Sequence, residues 1–356
     1  LLSRGLGDVY KRQGLRPRLE IVCDLSPKRA SQRATDLGFS RYTSSWQDVV
    51  NDPEVKLVSV CTPNDTHAEI AIAALKLGKS VWCEKPMSSN LSDSKKMLSE
   101  SKKSKGKTII GYNYTKNPAV LHARELIETG VIGDVAGFFC RYDVDNEADK
   151  KRPWSWRMSR KASGTGANGD ILSHVISVAH FLVGSTISKV VGDINIVHLK
   201  RKDPTNRKQT KTVDNDDMIS ALIHFQNGVH GHIGASRVTW GKKCGLTWEV
   251  HGTEGTIIFD QERLNEIKLF TRQKKKSTDG FRTILTGPDH PFYKSFLPNG
   301  GHSLGFMDVK MCELQMLLFA IEHDTETWPN FESGYEIEKV MDAVDRSALS
   351  GKWIKI

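Results

Sequence analysis

Two small groups of residues have the types and spacing for acid–base chemistry. Lys85 stands in Glu84-Lys85-Pro86, directly after the apolar run at 80–83. A lysine at the carboxyl end of a parallel strand lies where open α/β sheets bind ligands. Its ammonium can stabilise negative charge developing on a substrate oxygen. Asp170 and His174 lie four residues apart, beyond the glycine-rich stretch Gly164-Thr165-Gly166-Ala167-Asn168-Gly169. Residues four apart share one face of a helix, so this carboxylate and imidazole project together. A carboxylate beside an imidazole orients it and raises its basicity, as general acid–base work requires. Each group also has a plain structural reading. Pro86 can simply end a strand, Asp170 can cap a helix and His174 can be a core histidine.

A third group suits binding. Asp24 ends the first apolar run, where a carboxylate can accept hydrogen bonds from adenosine ribose hydroxyls and repel a 2′-phosphate. Lys28 and Arg29 stand close by in sequence and suit a 2′-phosphate instead. Thr62, Pro63, Asn64 and His67 follow the next apolar run, where they either line a cofactor crevice or form a polar turn.

The elements that must hold these residues alternate regularly in the first third of the chain. Strands are expected at 19–23, 57–61, 80–83 and 108–111, with helices at 27–37, 46–51, 68–77 and 91–103. Pro27 suits a first helical position and Gly78 a helix end. Strand–helix alternation with short connections predicts a parallel, doubly wound sheet. Beyond about residue 113 strands dominate, at 135–144, 188–199, 218–225, 229–237, 246–252, 256–260 and 266–271. Asn227-Gly228 is a strong hairpin signal. Helices are expected at 118–129, 169–183, 307–323 and 335–349. The second part therefore reads as an α+β domain with a large, mostly antiparallel sheet and helices on one face.

The 356 residues suffice for two domains, and hydrophobic residues make up 38% of them. No apolar run approaches the roughly 20 residues of a membrane span. The net charge of +9 invites a nucleic-acid reading. However, the basic stretches at 95–107, 200–211 and 274–276 lack interleaved aromatics and any helix-turn-helix or zinc-finger spacing. They read as solvated faces, and no nucleic-acid partner is expected. The six cysteines show no CxxC spacing. Cys23, Cys61, Cys83 and Cys140 read as small buried hydrophobes. Neither disulfides nor a metal site is expected, and a reducing, cytoplasmic compartment fits.

Taken in order, Thr62-Pro63-Asn64-Asp65-Thr66-His67, Glu84-Lys85-Pro86 and Asp170-x-x-x-His174 resemble the Gfo/Idh/MocA oxidoreductases. Gly111-Tyr112-Asn113-Tyr114, 127–133 and 250–255 add to the likeness. Ser155-Trp156-Arg157, Phe281-Arg282-Thr283, Thr286-Gly287-Pro288 and His290-Pro291 resemble its levoglucosan dehydrogenase branch, close to inositol 2-dehydrogenases. The resemblance implies a Rossmann-type domain and transfer of a hydride from a secondary alcohol of a sugar, anhydrosugar or cyclitol to NAD, with NADP as the alternative. It implies that His174 is the general base, that Lys85 stabilises the alkoxide and that Asp170 orients substrate and histidine. Asn113, Trp156 and Arg157 become substrate-pocket candidates beside Asp170 and His174. Asp24, Thr62, Pro63, Asn64, His67, Glu84 and Lys85 become cofactor candidates. A homodimer or homotetramer through the second sheet is also implied.

The sequence departs from the pattern twice. Many family members carry an aspartate three residues after the histidine, and here that residue is Ser177. Residues 1–13 read as a foreign, adapter-like prefix. Gly5-Leu6-Gly7 lies at a tempting distance before Asp24, but Tyr10 occupies the third-glycine place and only four residues precede Gly5. The expectation is therefore a truncated Rossmann domain at 14–115, lacking its first strand and glycine-rich loop, followed by a substrate and oligomerisation domain at 116–356. A chain so truncated would bind NAD weakly or not at all, and its lost native start leaves an export signal open. The competing function is a non-catalytic sugar or nucleotide sensor on the same scaffold, which would have no need of Lys85, Asp170 and His174 together.

Overall fold

Short runs rich in valine and isoleucine give the first unit most of its strands. The computed structural model describes residues 17–206 and 208–356. The prefix at 1–13, Gly5, Gly7 and the expected boundary at residue 14 lie outside the described residues. β1 (Ile21–Cys23) is followed by α1 (Pro27–Leu37), β2 (Arg41–Thr43) and α2 (Trp46–Asn51). Next come β3 (Leu57–Val60), α3 (His67–Lys76), β4 (Ser80–Cys83), α4 (Leu91–Ser101) and β5 (Thr108–Ile110). Every pairing among these strands is parallel, as expected: β1 with β2, and β3, β4 and β5 side by side in that order. β2 was not expected, because Arg41-Tyr42-Thr43 shows no apolar run. The helix ends follow capping chemistry. Ser26 Oγ accepts from Arg29 N, Pro27 opens α1, and Gly38 closes it at φ +79°.

This first unit runs to Gly111 and then takes back Glu313–Tyr335. The returning segment is tied to β4 and β5. Ile110 N donates to Pro329 O (2.9 Å), Phe331 N to Thr108 Oγ1 (3.2 Å) and Trp82 Nε1 to Glu313 Oε2 (3.0 Å). The sequence pattern assigns everything beyond residue 115 to the second domain. Hydrophobic periodicity cannot reveal such a return, because it reports an element and not its neighbour.

The second unit comprises Tyr112–Cys312 and Glu336–Ile356. It opens with α5 (Pro118–Glu128), β6 (Val135–Asp143), α6 (Ser173–Val183) and β7 (Ile187–Asn195). Then come β8 (Lys200–Lys202), β9 (Thr210–Thr212), β10 (Met218–Phe225), β11 (His230–Ser236), β12 (Gly245–Gly252), β13 (Gly255–Asp260), β14 (Glu266–Thr271) and β15 (Arg282–Leu285). The helices α7 (Phe306–His323) and α8 (Phe331–Ser350) and the short β16 (Ile354–Lys355) complete the chain. Nine strands form one sheet in the order β15-β14-β13-β12-β6-β11-β10-β7-β16. All its pairings are antiparallel except β6 with β11. The alternation in β10 buries Ile219, Ala221, Ile223 and Phe225 and leaves Leu222 half exposed on the other face. The Asn227-Gly228 turn joins β10 to β11, with Gly228 at φ +88°. The basic stretch at 200–211 holds a β8–β9 hairpin that lacks the apolar alternation by which a strand is recognised in sequence. Its lysines are exposed, as expected, but Arg201 is buried and donates to the backbone carbonyls of Asp149 and Glu147. The expectation of buried strand cysteines holds at Cys83 and Cys140, is only half met at Cys23 and fails at Cys61, which is exposed just beyond β3.

The helix α6 is buried and packs on β6 and β11. His180 sits within it, and its Nε2 accepts a hydrogen bond from Ile187 N (3.1 Å). Burial pushes its pKa down to about 3. The unfolded chain therefore takes up a proton below its ordinary value near 6.5 that the folded chain refuses. Stability from this residue is full above that value and falls by about 1.4 kcal/mol per pH unit down to the folded pKa. Thermal melts from pH 7 to pH 5 should show this slope, and His180→Asn should flatten it. An unchanged slope in the variant would refute the assignment.

Candidate active site

In the first unit the candidate residues gather at the carboxyl ends of the parallel strands. Asp24 follows β1, Thr62, Pro63 and Asn64 follow β3, and Glu84, Lys85 and Pro86 follow β4. Glu84 N donates to Val60 O (2.9 Å), which continues the β3–β4 ladder into the tripeptide. Glu84 Oε2 accepts from Lys85 N (3.2 Å), and the Lys85–Pro86 peptide is cis. The Lys85 side chain is partly accessible. His67 differs from the other candidates. It is 1% exposed, with Nδ1 3.0 Å from Pro86 O and Nε2 2.8 Å from Thr62 O. It clasps the turn after β3 to the turn after β4.

Asp24 keeps a partly open carboxylate, with its side chain 30% exposed. Arg29 Nε donates to both carboxylate oxygens (3.0 and 3.1 Å), and Ser26 N donates to Oδ1 (2.8 Å). The Arg29 guanidinium first, and then the Ser26 amide, hold this carboxyl below the usual range. An ionised, accessible carboxylate at a strand end fits a ribose diol. The polar ends of β3 and β4 suit the remainder of a dinucleotide. The residues present thus fit NAD. Arg29, placed against Asp24, is the group a 2′-phosphate would meet.

In the second unit a five-residue π-helix, Asn168–Leu172, leads into α6. π turns are rare and recur at functional sites. From Asn168 to Val183 every residue is buried except Asp170, which is exposed, and the half-buried Phe181. One carboxylate therefore emerges from an otherwise buried helix, and His174 lies four residues on, 5% exposed.

Three tyrosines surround that imidazole. Ring centroids of Tyr114, Tyr112 and Tyr142 lie 4.6, 5.6 and 6.0 Å from His174. The hydroxyls of Tyr114 and Tyr142 are 2.9 Å apart, and Cys244 Sγ lies 3.6 and 3.5 Å from them. Burial raises both phenols above their ordinary pKa, so they stay protonated donors throughout the working pH range. Sequence reasoning did not assign Tyr114, Tyr142 or Cys244 to the site. Period-two alternation in β6 puts Tyr142 on the same face as Phe138 and Cys140 and was the available signal.

Asn113, in the turn before α5, is 2% exposed with no partner on its Nδ2. A buried, unpaired amide donor is costly, and a substrate hydroxyl would satisfy it. Ser177 is fully buried and its Oγ is likewise unpaired. Trp156 and Arg157 are exposed, with the guanidinium 4.5 Å from the indole ring centre. No cluster of three or more metal-ligating side chains occurs among the described residues.

Strand-end polar turns in one unit and an acid–imidazole pair on a helix in the other define an oxidoreductase of the nucleotide-dependent kind. The model of the oxidoreductase family with an NAD-binding Rossmann fold matches residues 5–112, and that of the GFO/IDH/MocA C-terminal domain matches residues 120–258. The first match begins inside the stretch that composition set aside as foreign. Levoglucosan dehydrogenase of Pseudarthrobacter phenanthrenivorans is 33% identical over 96% of this chain and 90% of its own length. A solved levoglucosan dehydrogenase in complex with NADH and L-sorbose superposes with a TM-score of 0.94 at 32% identity, covering 100% of this chain and 96% of that one. An NAD-binding oxidoreductase from Klebsiella pneumoniae gives a TM-score of 0.95 at 35% identity, covering 99% and 94%. The chain belongs to the Gfo/Idh/MocA oxidoreductase family.

Proposed function

We propose that the protein oxidises a secondary alcohol of a sugar, anhydrosugar or cyclitol with NAD. The observation that carries this reading is the exposed Asp170 on an otherwise buried helix, with His174 one turn on among tyrosines. Bound NAD would supply the hydride acceptor; Asp24 would hold the adenosine ribose, and Thr62, Pro63, Asn64, Glu84 and Lys85 would line the remainder along the strand ends.

The chain's own residues handle the proton. His174 takes it from the reacting hydroxyl, and Asp170 orients the substrate and the imidazole. The Lys85 ammonium stabilises the negative charge that develops on the reacting oxygen. Asn113, Trp156 and Arg157 bind the remaining hydroxyls, Asn113 through its spare amide donor. The test is a reduction screen with NAD and NADP against levoglucosan, inositols and common aldoses. Nucleotide binding without turnover of any polyol would favour a sensor instead.

We further propose that the open face of the nine-stranded sheet joins two or four copies. That face presents Phe139, Leu222 and Ile258, and an open groove of about 440 Å³ lies beside Phe139, Arg141, Glu249 and Lys268. Exposed apolar patches on a sheet mark association surfaces. Light scattering should give an oligomer that Leu222→Asp with Phe139→Glu reduces to monomer. A monomeric parent protein would end this reading. Among the described residues no helix is long and apolar enough to cross a membrane.

A further inference from the structure

The run Asp214-Asn215-Asp216-Asp217, just ahead of β10, grips the chain that leads into the His174 helix. Asp216 is 2% exposed. Its Oδ1 accepts from Gly166 N (3.0 Å) and its Oδ2 from Asn168 N (2.6 Å). Its backbone carbonyl accepts from Ala167 N (3.0 Å). Three consecutive amides at the start of the π turn therefore end on one residue some fifty positions away. The next amide, Gly169 N, is taken by Thr165 Oγ1 (2.9 Å). The amides that every helix start leaves unpaired are thus satisfied, mostly from outside the helix.

The neighbours of Asp216 complete the grip. Asp214 Oδ1 accepts from Arg160 N (2.7 Å). Asn215 Nδ2 donates to Arg157 O (2.9 Å), Ser163 Oγ (2.6 Å) and Thr165 O (3.2 Å). From the other side, Asn168 Nδ2 donates to Met341 O and Asp345 Oδ1, both at 3.0 Å. Gly166 has no room for a side chain, since a Cβ would lie 2.3 Å from Asp216 O.

We propose that Asp216 is a positioning residue for the reaction: it fixes the register of the π turn and so sets where Asp170 and His174 stand. An ordinary helix start caps itself with a local serine or aspartate. This one is capped by a buried carboxylate from the segment just ahead of β10, which ties the helix to the sheet. A carboxylate accepts from both amides, whereas an asparagine offers one acceptor and turns a donor against the second amide. Asp216→Asn therefore loosens the turn without emptying the site. The kinetic part of this proposal rests on the dehydrogenase reading above.

The test pairs Asp216→Asn with Ile223→Ala and Ile223→Val, core variants in the adjoining β10, compared at matched loss of melting temperature. Hydrogen exchange across 165–174 should speed up at least tenfold more in Asp216→Asn than in its matched control. The kcat should drop about tenfold or more, with the KM for NAD unchanged. Exchange equal to the control overturns the proposal, and so does a kcat within twofold of the parent protein. If the parent protein oxidises no polyol, the dehydrogenase reading has failed, and the exchange measurement alone decides whether Asp216 holds the turn.

Discussion

His174→Ala lowers kcat for the oxidised polyol by about 10²–10⁴-fold, the usual loss when a positioned general base is removed. The expected loss of transition-state stabilisation is about 3–5 kcal/mol. Three features isolate the effect. Rings of Tyr112, Tyr114 and Tyr142 wall the imidazole, so the variant leaves a small space and not a collapsed core. NAD affinity, which depends on the strand ends of the first unit, stays the same. The rise of rate with pH that an imidazole base imposes also disappears. Lys85→Ala belongs to the same experiment, with a loss of about 10²–10³-fold expected for a missing oxyanion-type donor. Its signature differs, because the pH dependence of His174 remains. Initial rates of NADH formation across pH 6–10 would check both. A His174→Ala variant within threefold of the parent would remove the histidine from the proton path.

The largest loss of stability should come from Arg237→Met. Arg237 Nε and Asp217 Oδ1 form an ion pair at 2.7 Å, with side chains 5% and 2% exposed. Deleting one partner of a buried pair typically costs about 3–5 kcal/mol, because the other charge remains buried without compensation. For a chain of this size that corresponds to a drop in Tm on the order of 10 °C. Replacing both residues by apolar ones should recover little here. Asp217 Oδ2 also accepts from Val197 N (2.8 Å) and His198 N (3.2 Å), and those amides would lose their acceptor. Thermal and urea unfolding followed by circular dichroism would measure this. A loss below 1 kcal/mol would show that the carboxylate finds other partners.

The parts of this molecule that were legible in sequence are those governed by local rules. Strand ends announce themselves by an apolar run that stops at a polar residue, which is how Asp24, Thr62 and Lys85 came into view. The four-residue spacing of Asp170 and His174 was legible, although the structure puts Asp170 in the π turn and His174 in the α-helix that follows it. The π turn beneath Asp170 was not, since a single widened turn leaves no periodic trace. His67 stands where the spacing put it but acts as a clasp, because its ring nitrogens face two backbone carbonyls. Tyr142 and Cys244 reach one another only because β6 pairs with β12 in a register that sets Asp143 opposite Gly245. Asp216 is the extreme case, acting on a turn fifty residues earlier. Pairing register and long-range capping are properties of the assembled sheet, and no window of sequence contains them.

The return of Glu313–Tyr335 to the first unit bears on how this protein can be dissected. A fragment that stops at Gly111 would contain every parallel strand described for that unit and yet be incomplete. Ile110 would lose the Pro329 carbonyl and Trp82 the Glu313 carboxylate, while the cover that Phe331 gives to Thr108 would be gone. The nucleotide-binding half is a discontinuous piece of chain that closes only after the sheet of the other half has been synthesised. On a ribosome, its last strand waits some two hundred residues for its neighbour.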